Sequence, residues 1–193
     1  MKSRTRHVLL AAACALFLSS TASATVMVEV PLEDMIRSAD AIVYGTVERT
    51  GVRMSIGERG MEPQTLTTVR VHEWLAGEGG ETVRIRELGG QWQGGGLHYE
   101  GTPTYEVGER VVVFLERRDE APHDLRTFAM VQGKFVIRPG VPGTPDRVQR
   151  DLEGVAFARW ADGRQTVSPP GREPAMSLDA FLDFVRRVRG GER

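Results

Sequence analysis

The chain of 193 residues has no asparagine, one cysteine (Cys14) and two lysines against 23 arginines. Without asparagine it offers no N-glycosylation sequon. A single cysteine excludes an internal disulfide and a thiolate cage for zinc. Long apolar runs are missing too. Val8 to Leu18, the longest, has 11 residues against the ~20 that a membrane-spanning helix needs. Catalytic signatures are equally scarce. His72, His98 and His123 fall in no metal-ligand spacing, and Ser38, Ser55, Ser168 and Ser177 lie in no G-x-S-x-G elbow. The glycine-rich stretch Gly89 to Gly96 lacks the Lys-Ser/Thr and the following helix of a phosphate loop. The adjacent carboxylates Glu33-Asp34 and Asp119-Glu120 read as exposed charges rather than a glycosidase pair. No cofactor and no metal site is expected.

The N-terminal segment is patterned. Lys2, Arg4 and Arg6 precede the apolar run, and Ala22-Ser23-Ala24 ends it with small residues. That order predicts a secretory signal peptide over 1–24, cleaved after Ala24. Acylation at Cys14 is the rival reading; it would leave only Val8 to Ala13 as the apolar region. Cleavage leaves 22 basic and 26 acidic residues, a net charge of −4. Such a balance argues against non-specific nucleic-acid binding, which needs a basic footprint. The expected localisation is periplasmic or secreted, with no stable membrane anchor after cleavage.

Beyond residue 24 the periodicity is mostly that of strands. Val30 to Ala39 predicts a short helix with Pro31 in its first turn and Glu33 and Asp34 at the positive end of its dipole. Strands are predicted over Ala41 to Val52, Thr65 to Leu75, Glu81 to Leu88, Glu109 to Glu116, Leu125 to Val131 and Lys134 to Arg138, with a bend at Gln132-Gly133. On the second strand Thr67, Val69, Val71 and Leu75 share one face, and Thr68, Arg70, His72 and Trp74 the other. On the third, Val83 and Ile85 point inward and Arg84 and Arg86 outward. Glu109 to Glu116 is apolar on both faces and predicts the most buried strand. Met54 to Gln64 reads as a mobile loop, and Gly89 to Gly108 as a long irregular connection. After Pro139 the chain turns proline- and glycine-rich, with a hairpin signal at Asp162-Gly163. Ser177 then caps a final amphipathic helix, Leu178 to Arg189, expected to dock on the barrel.

The fold class expected is mainly β: a five- to six-stranded antiparallel barrel with a short N-terminal and a C-terminal helix. The organisation is a signal segment 1–24, a barrel domain 25–138, an extension 139–176 with a possible hairpin, and a helix 177–193. The sequence Ser38-Ala39-Asp40-Ala41-Ile42-Val43-Tyr44-Gly45-Thr46-Val47, a strand ending Trp74-Leu75-Ala76-Gly77, the strand ETVRIREL and Tyr105-Glu106-Val107-Gly108-Glu109-Arg110 before Val111 to Leu115 carry a resemblance. Over about Pro31 to Ile137 the chain resembles the netrin-like domain of the tissue inhibitors of metalloproteinases, and still more the secreted bacterial proteins of that plan. The resemblance implies an oligonucleotide/oligosaccharide-binding-type (OB) barrel. The family's inhibitory N-terminal cysteine has no counterpart, since Thr25 stands at the expected new terminus; zinc chelation and the disulfide framework do not carry over.

One surface stands out. Trp92, Gln93, His98, Tyr99, Thr104 and Tyr105 lie within fourteen residues of a loop that is otherwise mostly glycine. Large amphipathic side chains on a loop are typical anchors for partners or sugars. Arg84 and Arg86 would extend that surface, whereas Trp92 and Tyr99 folding back would make the loop a plug for the barrel end. The expected function is a secreted, non-enzymatic binding module whose partner is an extracytoplasmic protein or a glycan. The alternatives are an inhibitor or accessory of an extracytoplasmic protease and a small hydrolase with an unrecognised site.

Overall fold

The computed structural model describes residues 25–57, 60–118, 124–161, 163–171 and 175–191. Residues 1–24 with Cys14, and Asp119, Glu120, His123 and Asp162, lie outside the described residues. In chain order the elements are β1 (Thr25–Val28), α1 (Leu32–Ser38), β2 (Ala41–Gly57), β3 (Gly60–Ala76), β4 (Thr82–Leu88), β5 (Gly90–Trp92), β6 (Gly95–Leu97), β7 (Arg110–Arg117) and β8 (Leu125–Thr127). A 3-10 turn, Met130–Gly133, leads into β9 (Lys134–Arg138), β10 (Arg147–Arg150), β11 (Val155–Ala161), β12 (Arg164–Ser168), β13 (Met176–Ser177) and α2 (Leu178–Arg189).

An eight-stranded sheet runs β13-β10-β9-β7-β2-β3-β4-β8, and β8 returns to pair with β7. Strands β7, β2, β3, β4 and β8 therefore form a partly closed ring of five. Its weakest seam is β4 to β8, a parallel pairing with the single register pair Ile85 and Leu125. Side chains reinforce that seam on both sides. Arg84 forms an ion pair with Asp124, and Glu87 Oε1 accepts the backbone N–H of Thr127 at 2.8 Å.

Strand β7 sits at the centre because its sequence is apolar in both registers. Val111, Val113 and Leu115 join Val43, Val47, Val69, Val83 and Ile85 inside the ring. Val112 and Phe114 face the opposite side, where Met35 and Ile36 of α1 and Phe181, Leu182 and Val185 of α2 complete a second core. A strand buried on both faces needs a continuous apolar run, and this one has it. The second edge of β7 is divided. Its N-terminal half pairs with β9 and its C-terminal half with β8, with the 3-10 turn between them where a bend was expected.

Helix α2 matches its expected bounds. The Ser177 Oγ accepts the Ala180 N–H at 3.3 Å, and Arg186, Arg187 and Arg189 occupy its last turn. Arg189 also reaches α1, donating from Nη1 to the carbonyls of Ile36 and Arg37 at 2.8 and 2.9 Å. It thereby satisfies acceptors that a seven-residue helix leaves open. Helix α1 is shorter than the 30–39 stretch, and Pro31 lies at its N-cap rather than within it.

Several expectations are corrected. Met54 to Gln64 is not a loop: β2 and β3 continue through it in register from Met54 and Pro63 to Gly57 and Gly60, forming a two-stranded arm beyond the end of β4. Met54 and Ile56 alternate with Arg53 and Ser55, a period-two signal that the surrounding glycines obscure. The faces of β3 also change along its length. Leu75, His72 and, on β2, Glu48 are extra residues at three register shifts, and each such bulge turns the following side chains to the other face. Trp74 thus packs on the ring interior, while Leu75 joins the helix-side core. The strands exceed the expected six: β1, β10 and β13 went unforeseen, as did the β5-β6 hairpin inside the Gly89 to Gly108 stretch expected to be irregular, and the ring is not wholly antiparallel. The segment 139–176 supplies β10 to the main sheet and the β11-β12 hairpin, whose strand β11 pairs parallel with β1.

Candidate functional site

At one end of the ring the interior changes from aliphatic to polar. The inward column of β4 reads Val83, Ile85, Glu87, and that of β3 reads Val69, Thr67, Thr65. The Glu48 bulge places Thr50 and Val52 on the same side, opposite Thr67 and Thr65. Glu87 is 3% exposed and Tyr105 6%. The Tyr105 hydroxyl lies 2.5 Å from Thr127 Oγ1, so Glu87, Thr127 and Tyr105 form one buried chain of polar groups. Lys134 continues it, its Nζ 4.9 Å from the Tyr105 ring centre and 2.7 Å from Glu109. Burial pushes the Glu87 carboxyl above its ordinary pKa, against the opposing bonds from Thr127. Burial, followed by the nearby Glu87 charge, pushes the Tyr105 phenol well above its own.

The connection from β4 to β7 folds over this polar mouth. It opens with two glycines in left-handed conformations, Gly89 at φ 91° and Gly90 at φ 146°. A Cβ on Gly90 would lie 2.6 Å from Val52 Cγ2, and one on Gly89 2.6 Å from the Leu97 carbonyl oxygen. Only glycine admits this approach without strain. The Thr65 hydroxyl donates to the Gly89 carbonyl at 2.8 Å, and Gly89 N–H donates to the Pro63 carbonyl at 2.9 Å. The small β5-β6 hairpin turns at Gln93-Gly94. Between it, the ends of β2 and β3 in the ring and the loop to Tyr105 lies a cleft of about 680 Å³, within the ~300–1,000 Å³ of small-molecule sites. Thr50, Thr65, Thr102 and Thr104 line it, with Gln91, His98, Glu87 and Tyr105.

The residues singled out in the sequence divide three ways. His98 and Tyr105 line the cleft together with Thr104, although Tyr105 is buried and its hydroxyl is engaged by Thr127. Trp92 and Gln93 stand on the hairpin beside the lining residue Gln91. Trp92 is 38% exposed, and its ring passes close to Gly95, where a Cβ would be 3.2 Å from Cζ2. Tyr99 is half-buried against Gly89. Arg84 and Arg86 lie apart, on the outer face of β4: Arg84 holds the seam through Asp124, and Arg86 donates to Gln64 Oε1 at 3.4 Å. The loop is thus in part a cover for the end of the ring and in part the wall of a cleft.

Glu87, Thr50, Thr65 and Thr102 escaped the sequence reading, whereas Thr104 was part of it. One signal was available for Glu87, since alternation along Val83 and Ile85 puts the next inward position at residue 87. Among the described residues no three His, Cys, Asp or Glu side chains converge as a metal site, and no helix is long and apolar enough to cross a membrane. No family model, curated protein or solved structure matches the chain.

Proposed function

We propose that the protein is an extracytoplasmic, non-enzymatic binding module whose ligand site is the cleft at the polar mouth of the ring. The observation that carries this reading is the cleft itself, a concave surface with convergent hydroxyl, amide and imidazole groups held on a rigid scaffold. Among the described residues Glu87 is the one carboxyl lining it, and the paired carboxylates of a glycosidase are not assembled there by those residues. The ring is read as an OB-type barrel of the netrin-like kind. Supporting this, β2, β3 and β4 are consecutive and β7 returns beside β2, a Greek-key order, which β8 closes. Export after cleavage at Ala24 is compatible with the sheet. Thr25 already pairs with Val155, and its N–H donates to the Gly154 carbonyl at 2.8 Å, a bond that a free terminal amine retains.

Affinity capture tests the reading, with protein from Thr25 onward as bait for the soluble extracytoplasmic fraction and both proteins and small molecules analysed. A Gln91→Ala/His98→Ala variant serves as the control, because both side chains line the cleft and are exposed. A ligand held by the wild type and lost by the variant supports the cleft. Capture of nothing by either bait, or identical capture by both, overturns it.

A further inference from the structure

We infer that the outer face of the β1-β11-β12 sheet is a self-association surface, on which a second copy of this chain packs face to face about a two-fold axis. Its residues are not those that line the cleft, so the inference stands apart from the binding-module reading.

Alternation builds this face. On one side of β11, Val26 pairs with Ala156 and Val28 with Ala158. On the other, Ala158 pairs with Val167 and Trp160 with Gln165. Residues paired across strands point to the same side of a sheet, so all of these share one face. The opposite face turns to the body of the protein: Phe157 is 1% exposed there, and Met27 lies against Gly101. On the outer face Val26 is 51% exposed, Val28 68%, Val167 53% and Trp160 70%. Together these four present on the order of 400 Å² of apolar surface, a patch size that commonly marks an interaction site.

Charge and shape both point to a second copy. A two-fold contact sets a surface against itself, so a charge near the axis would meet its own sign. Among the described residues that alternation places on this face, none is charged. Along β11 the row reads Ala156, Ala158, Trp160: two small residues, then a large one. The flanking valines make Ala156 and Ala158, 8% and 7% exposed, the floor of a trough. A two-fold axis lying across the strands at Ala158 sets Trp160 of each copy over Ala156 of the other. It also brings Val28 onto Val28 and Val167 onto Val167. A large residue over a small one suits the ~10 Å spacing of packed sheets. A lipid surface is served less well, because the chain from Thr25 onward has a net charge of −4 and anionic headgroups attract basic segments. The patch is about half of the ~800 Å² per partner in a standard interface, which makes the dimer weak and concentration-dependent.

Sedimentation equilibrium of the protein from Thr25 onward, from low micromolar to near-millimolar concentration, tests this. Three variants run beside it: Trp160→Ala, Val167→Glu and Val167→Lys, all at exposed side chains, with folding checked by circular dichroism. The expected result is a reversible monomer–dimer equilibrium, weakened about tenfold or more in Trp160→Ala. Val167→Glu and Val167→Lys should each stay monomeric, since the axis sets like charges together, and their equimolar mixture should regain the dimer. That recovery separates the contact from a folding defect. A wild type that stays monomeric throughout overturns the inference. If its tryptophan fluorescence then shifts with phosphatidylcholine–phosphatidylglycerol vesicles, and not in Trp160→Ala, the face belongs to a membrane instead. A dimer that all three variants retain overturns the inference as well, as does a mixture of the charged variants that stays monomeric.

Discussion

Glu87 Oε1 accepts the backbone N–H of Thr127 at 2.8 Å, two residues beyond the single backbone pair that joins β4 to β8, Ile85 with Leu125. A side chain therefore replaces the rung that the parallel ladder would otherwise have there. The same carboxyl lies in the lining of the cleft, so one residue contributes both to closing the ring and to the wall of the cleft.

Truncating that residue should loosen the seam. Glu87→Ala leaves the buried Thr127 N–H without its acceptor, a loss expected to cost about 1–3 kcal/mol. Glu87→Gln keeps an acceptor oxygen and should cost clearly less. Equilibrium urea denaturation of both variants checks the order; equal losses would show that the bond to Thr127 contributes little.

The pH dependence follows from the same group. Its folded pKa is raised above the ordinary 4.5, so the native state holds this proton at pH values where the unfolded chain has released it. The stability Glu87 contributes is fully present below its ordinary pKa and is lost as pH rises through the raised folded value. Across that window Glu87→Gln should therefore show a smaller decline in unfolding free energy than the wild type. Parallel stability curves would contradict the assignment.

Gly90 is expected to tolerate no side chain. At φ 146° and with Val52 Cγ2 2.6 Å from the position of an added Cβ, Gly90→Val combines backbone strain with overlap, each costing on the order of 1–3 kcal/mol. Thermal denaturation should show a clear fall in Tm. Gly94→Ala, where φ is 101° and no atom lies within 4 Å, carries the strain alone and should fall less.

Docking of α2 separates burial from charge. Phe181 is buried, and its ring centre lies 4.8 Å from that of Phe135; Phe181→Ala should cost about 3–5 kcal/mol. Arg186 bonds Glu73 through Nε at 3.0 Å and Nη2 at 2.8 Å, yet both side chains are exposed. Arg186→Ala should cost no more than about 1 kcal/mol, and less at high salt. Chemical denaturation at two ionic strengths distinguishes the two contributions.

The arm presents an apolar face that the fold does not use. Ile56 is 85% exposed and pairs across the arm with the exposed Met61. Replacing both by Thr should leave stability within about 0.5 kcal/mol. A larger loss in denaturation would mean that this face packs on the body of the protein.

The sequence by itself determined the local elements: the doubly apolar β7, the inward Val83 and Ile85, and the capped helix α2 with its basic last turn. These depend on periodicity and on caps a few residues away, which the chain carries in place. It also marked the loop that walls the cleft, because aromatic residues among glycines are conspicuous. Only the tertiary structure decided the rest. Bulges at Glu48, His72 and Leu75 reverse faces without a residue-level signature, since each is defined by the partner strand. The parallel pairing of β1 with β11 joins residues about 130 positions apart, and the closing bond from Glu87 to Thr127 spans 40. Alternation could place Glu87 inside the ring; what makes a carboxyl tenable there is a backbone donor and a cleft wall that distant segments bring to it.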